Sequence, residues 1–215
     1  MAFDALNTVA VSRTEKYDPT ELCGIFLRHF ELLGIDKSTF EGKKVVIKPN
    51  LVMKKSPEYA ATIAPAVLDG LLSVLDIFGC KPTVAESPGG VYSASRLEGI
   101  YKVCGITDVC KKHGTMLNLD TTWKRMSSES GRLVKSFNII TPIADADVII
   151  DLCKLKTHSL TVMSGAVKIF SARYPALKNL KRTRHIPNTA ILPQCSATSV
   201  LCFAKARPLL PLRTR

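Results

Sequence analysis

The sequence predicts an α/β fold of three layers built on a mainly parallel sheet. Short β-branched runs alternate with amphipathic stretches of helical length, the order expected of βαβ units with right-handed crossovers. Val148-Ile149-Ile150-Asp151-Leu152-Cys153 is apolar on both phases of a strand, as a strand covered on both faces must be. Three polar motifs each follow directly on a strand, which gives them one address at the sheet's carboxyl edge.

In chain order, Asn7 to Ser12 reads as a first strand. Asp18-Pro19 caps a helix through Leu33, with Leu22, Ile25, Phe26, Phe30 and Leu33 at helical spacing and Gly34 as its stop. Lys43 to Ile47 is a second strand. Ala60 to Phe78 is a helix with Val67, Leu68, Leu71, Leu72 and Leu75 inward, ended by Gly79. Pro82 to Ala85 is a third strand, and helices follow over Ser93 to Cys104 and Ile106 to His113. Met116 to Leu119 is a short strand, and Trp123 anchors a polar loop from Thr121 to Arg132. Gly131 to Ile139 is extended, and Ile143 to Asp145 leads into the strand at Val148. There is no internal repeat and no low-complexity linker.

At 215 residues, 46% hydrophobic and 22% charged, the chain is one ordinary globular domain. Met1 to Thr14 lacks the basic and apolar regions of a signal peptide. The longest apolar stretch, Ile63 to Cys80, holds Asp69, Asp76 and two glycines, which argues against a membrane span. Seven scattered cysteines fit reduced thiols and a cytoplasmic location. All 18 acidic residues lie at or before Asp151 with 18 of the 30 Lys and Arg, so the whole excess of +12 falls in the last 64 residues. Residues 1–185 therefore read as the domain and 186–215 as an irregular basic tail. Few aromatics interleave with its cations, which argues against nucleic acid.

The motifs are Lys48-Pro49-Asn50, Glu86-Ser87-Pro88-Gly89-Gly90 and Lys154-Leu155-Lys156-Thr157-His158. Singly, each is also what ordinary structure uses: a proline ends a strand, two glycines make a turn, lysines are solvated. Convergence of all three favours a site. Gly89 and Gly90, and Ser164-Gly165 opening a further helix that carries Lys168, offer backbone N–H groups to a carboxylate or phosphate. Lys48, Lys154, Lys156 and Lys168, crowded together, depress one another's pKa, so that one becomes a base or nucleophile. The catalytic candidates are Lys156, His158, Lys48 and Glu86. The ligand-binding candidates are Asn50, Ser87, Gly89, Gly90, Lys154, Thr157, Ser164, Gly165 and Lys168, with no metal ligand among them. His158 equally suits a structural bond to a carbonyl, and Glu86 the neutralisation of a lysine. No P-loop, dinucleotide fingerprint, Cys-x-x-Cys pair or nucleophile elbow is present. His29 and His113 sit on helices without clustered partners, as structural residues.

Lys48-Pro49-Asn50-Leu51-Val52, Thr62 before Pro65-Ala66-Val67, Glu86-Ser87-Pro88-Gly89, Lys154 to His158, Ser164 to Lys168 and His185 together resemble the domain-of-unknown-function 362 family. The resemblance implies a prokaryotic, cytoplasmic protein whose relatives often carry ferredoxin-like iron–sulfur modules. No cofactor is encoded in this chain, and the resemblance implies an iron–sulfur cluster on a partner or a missing segment. Ala64 stands where the family tends to have histidine, and Ile169 where it usually has asparagine. The family's further acidic portion does not follow His185, so the resemblance implies a carboxyl-terminal part that is incomplete, and residues 186–215 resemble the product of a shifted reading frame. Three expectations follow: an enzyme acting on a small anionic substrate, coupled to a ferredoxin-like partner; a non-catalytic anion- or ferredoxin-binding module; or an inactive truncated remnant.

Overall fold

A computed structural model of the chain describes residues 8–127, 136–158, 162–166 and 199–205. Its helices are α1 (Pro19–Leu32), α2 (Pro65–Ile77), α3 (Ala94–Val103), α4 (Ile106–Lys112) and the single turn α5 (Thr141–Ala144). Its strands are β1 (Val45–Pro49), β2 (Thr83–Val84), β3 (Met116–Leu117), β4 (Trp123–Ser127), β5 (Ser136–Ile140), β6 (Val148–Lys154), β7 (Lys156–His158), β8 (Val162–Ser164) and β9 (Ser199–Lys205).

The main sheet has the order β3-β2-β1-β6-β9, with the first four strands parallel and β9 antiparallel to β6. On one face Ile47, Val84, Ile150 and Leu152 meet helix residues such as Leu68, Leu72, Leu97 and Tyr101. On the other, Val46, Ala85 and Ile149 meet Ile139, Ile140 and Ile143 from the β4–β5 hairpin and α5. Strand alternation sorts the residues to these faces, so the three expected layers are present, with a hairpin supplying much of the third. From β1 the chain steps by way of α2 to β2, then by way of α3 and α4 to β3. It returns through the hairpin and α5 to β6 on the other side of β1. The strand order therefore reverses between β1 and β6, the topological switch point where open α/β sheets hold their ligands.

Local chemistry sets the helix ends. Asp18 accepts from the Glu21 N–H at 2.9 Å with Pro19 in the first turn, and Ser93 accepts from the Arg96 N–H at the start of α3. The helix predicted from Ala60 begins at Pro65 instead. Pro57–Tyr59 forms a 3-10 turn ended by Ala60 at φ 51°, a left-handed residue that no helix continues through.

Other expectations are also corrected. Residues 8–12 join no sheet, and Val9 and Val11 project outward. An alternating pattern supplies a strand's side chains but not the neighbour it must bond. Trp123 lies on a strand and is exposed rather than anchoring a loop. Within the expected irregular tail, Ser199–Lys205 is a strand registered along the whole of β6. His113 is not without partners: Nδ1 lies 2.6 Å from Asp76 and Nε2 2.7 Å from Asp69, both on α2. Lys112 and Lys81 add ion pairs to the same two carboxylates. The cluster ties α4 to α2, a structural role. Among the described residues Cys23, Cys80, Cys104, Cys110 and Cys153 form no disulfide, and no helix is long and apolar enough to cross a membrane.

Candidate functional site

β1, β2 and β6 end side by side, with Ile47 in register with Val84 and Lys48 in register with Asp151. Lys48, Glu86 and Lys154 therefore share one edge of the sheet, as the motif positions predict. Lys48 is fully buried, and its Nζ donates to Glu86 Oε1 at 2.7 Å. The same oxygen accepts from the Ser87 N–H at 2.7 Å, and Oε2 accepts from the Leu51 N–H at 2.8 Å. The Glu86 N–H in turn donates to the Tyr101 hydroxyl at 3.1 Å. A charge pair taken out of water survives only with such additional bonds, and Glu86 has them. It thereby joins the turn after β1, the turn after β2 and helix α3.

Asp151 is the residue that sequence reasoning missed. It is 1% exposed, and neither carboxylate oxygen has a hydrogen-bond partner among the described residues. Burial pushes its carboxyl up to about 7, with the Glu86 charge adding to the rise and Lys48 opposing it. In the sequence it passes for one polar residue in an apolar strand. The available signal was its place in a strand buried on both faces, which leaves no solvent for a carboxylate; the register that sets Lys48 opposite came only with the structure.

Around this centre the remaining candidates divide. Asn50 is buried, donates its N–H to Leu152 O at 3.1 Å and accepts from the Ile63 N–H at 3.2 Å. Its side-chain Oδ1 has no partner among the described residues, and neither does the Oγ of buried Ser164. Lys154 is half-buried, with no ion pair or hydrogen bond from its ammonium among the described residues, and burial pushes its pKa down. Mutual repulsion of lysines, the expected cause, is not what lowers it, and Lys48 is neutralised by Glu86. Lys156 donates its Nζ to Ala61 O, and Thr157 is exposed.

The segment after β6 is not a loop. Lys156, Thr157 and His158 form β7, paired with Ser164, Met163 and Val162 of β8. Ser164 thus closes a strand, Gly165 follows it in a bend and Ala166 is already helical, so the expected helix start stands at this point, while Lys168 lies outside the described residues. The Pro88-Gly89-Gly90 turn is also fastened internally. The Gly89 N–H donates to Val52 O at 3.2 Å, and Gly89 O accepts from Arg96 Nη2 at 2.9 Å. Gly90 has φ 93°, and a Cβ there would stand 2.9 Å from the Arg96 guanidinium, so glycine is required for that contact. Of the bare N–H groups expected at Gly89 and Gly90, that of Gly89 is spent within the protein.

The sequence profile of the family described as "Domain of unknown function (DUF362)" matches residues 45–187. The chain belongs to this family. A thylakoid-associated protein of Synechocystis sp. is 25% identical over 169 residues, covering 76% of this chain and 49% of the relative. The chain thus spans about half the length of the curated relative it matches. No solved structure gives a significant match.

The DUF362 span begins at the first residue of β1 and takes in Lys48, Asn50, Glu86, Asp151, Lys154, Lys156 and Ser164. With Asp151 protonated, the Lys48–Glu86–Asp151 group has no net charge, and losing that proton leaves it at minus one.

Proposed function

We propose that this DUF362 protein binds a small anionic ligand in the crevice at the carboxyl ends of β1, β2 and β6, and that it is an enzyme, or the catalytic part of one, acting on that ligand. The observation that carries the reading is the half-buried Lys154 ammonium, without a partner among the described residues, at the end of β6 on the sheet edge where the buried Lys48–Glu86 pair also stands. An ammonium drawn out of water and left without a counter-ion attracts an anion. Lys154 and Lys156 are the binding cations, and Asn50 and Ser164 supply oriented polar atoms. Lys48 and Glu86 hold the floor rather than act as nucleophile and base, because each is spent on the other. His158, at the end of β7, is the remaining acid–base candidate of the original set. Electron transfer, where the reaction needs it, belongs to a ferredoxin-like iron–sulfur partner outside this chain, as the family resemblance implies, and the described cysteines, which form no disulfide, suit a cytoplasmic setting.

Sulfate, phosphate and citrate should raise the melting temperature more than chloride at matched ionic strength, by linkage of binding to folding. Lys154→Met should abolish that difference. A series in which all four anions behave alike would refute the site.

A further inference from the structure

The buried carboxyl of Asp151 has no part in a simple cation-lined anion site, and its position is the hardest feature of the crevice to explain without a function. It lies on the sheet face covered by Ile139, Ile140 and Ile143, one strand from Lys48. The charged groups that bear on it are Lys48 from β1 and Glu86 from the turn after β2, which already neutralise each other at 2.7 Å. Its register neighbour on β9 is Cys202, and Lys154 follows three residues along its own strand. Among the described residues no net positive charge therefore stabilises an Asp151 carboxylate. An anionic ligand in the same crevice would add a second negative charge at low dielectric, and two such charges cannot share the space.

Resting on the anion-site reading above, we propose that the ligand enters together with one proton, which Asp151 takes from solvent and holds, so that the buried carboxyl is neutral while the anion is bound nearby. The step is proton uptake alone: carboxylate plus a solvent proton gives carboxylic acid, with nothing oxidised or reduced. Protonated Asp151 then adds no charge beneath the bound anion, and its carboxyl titrates near neutrality, where burial has pushed it. Affinity for the anion becomes a function of pH. Below neutrality the proton is already in place, and above it each binding event must recruit one.

Sulfate is the probe, because it does not titrate in this range. Calorimetric titration into the full chain, in two buffers of different ionisation enthalpy, should show uptake of close to one proton at about pH 8 and little at about pH 5.5, with Kd rising about tenfold for each pH unit above neutrality. Asp151→Asn should remove both the uptake and this slope. A wild-type infrared difference spectrum at the higher pH should gain a protonated-carboxyl band when sulfate is added, a readout that does not depend on the variant folding. Sulfate binding without proton uptake overturns this inference and leaves the anion site standing. Absence of sulfate binding at every pH removes both. Tight magnesium binding with proton release, in place of sulfate binding with uptake, would show that Asp151 serves a cation.

Discussion

Replacing Asp151 by asparagine should make the protein more stable than the wild type at neutral and alkaline pH, by an amount that grows from about pH 4 to about pH 7 and is then level. In the folded chain burial holds this carboxyl at about 7, against an ordinary value of 3.8. A folded-state pKa raised above the unfolded one means that, between the two, the native state keeps a proton which the unfolded state has released. Stability then falls as pH rises from about 4 to about 7 and is level above that. The full loss is about 4 kcal/mol, at about 1.4 kcal/mol per pKa unit, an upper figure for a group whose surroundings can relax. By about pH 5 somewhat more than a third of it has already been lost, so roughly 2.5 kcal/mol should separate about pH 5 from about pH 8. Asparagine is close in shape and has no such dependence. Urea unfolding of both proteins across this range measures it, and titrations common to both cancel in the difference. Parallel stability curves for the two proteins would show that Asp151 is ionised in the native state at ordinary pH and would remove its part in the crevice.

Lys48→Met should cost about 3–5 kcal/mol, because Glu86 is left as a buried charge without its cation, whereas Lys48→Met combined with Glu86→Gln should recover much of that loss in denaturant titrations. Gly70→Ala should destabilise by about 1–3 kcal/mol despite alanine's better helix propensity, since the new Cβ would stand 2.8 Å from Leu22 Cβ where α1 crosses α2. A variant as stable as the wild type by thermal unfolding would mean that the two helices separate easily. Hydrogen bonds from His113, Lys112 and Lys81 outweigh burial and hold Asp69 and Asp76 below the usual carboxylate range, so their contribution is present above 3.8 and is lost as pH falls through the depressed folded values. His113→Ala should therefore flatten the acid limb of the stability curve, and an unchanged limb would deny the cluster its role.

Local grammar was legible in the order of the residues. Apolar periodicity placed β1, β2 and β6, the Asp18 and Ser93 caps and Pro19 opened their helices, and the ends of the strands located Lys48, Glu86 and Lys154 on one edge. These outcomes depend on residues within a few positions of one another. Tertiary structure alone decided that β1 lies beside β6, one hundred residues later, and so that Lys48 faces Asp151 in register. It also decided that Glu86 takes Lys48 rather than another lysine, that Lys156 to His158 pair into a hairpin, and that Ser199–Lys205 closes the edge of β6. The reason is that partner choice depends on register across the sheet, which strand period does not encode. A carboxyl's affinity for its proton likewise depends on which charges and how much water surround it, and for Asp151 those surroundings come from three separate parts of the chain.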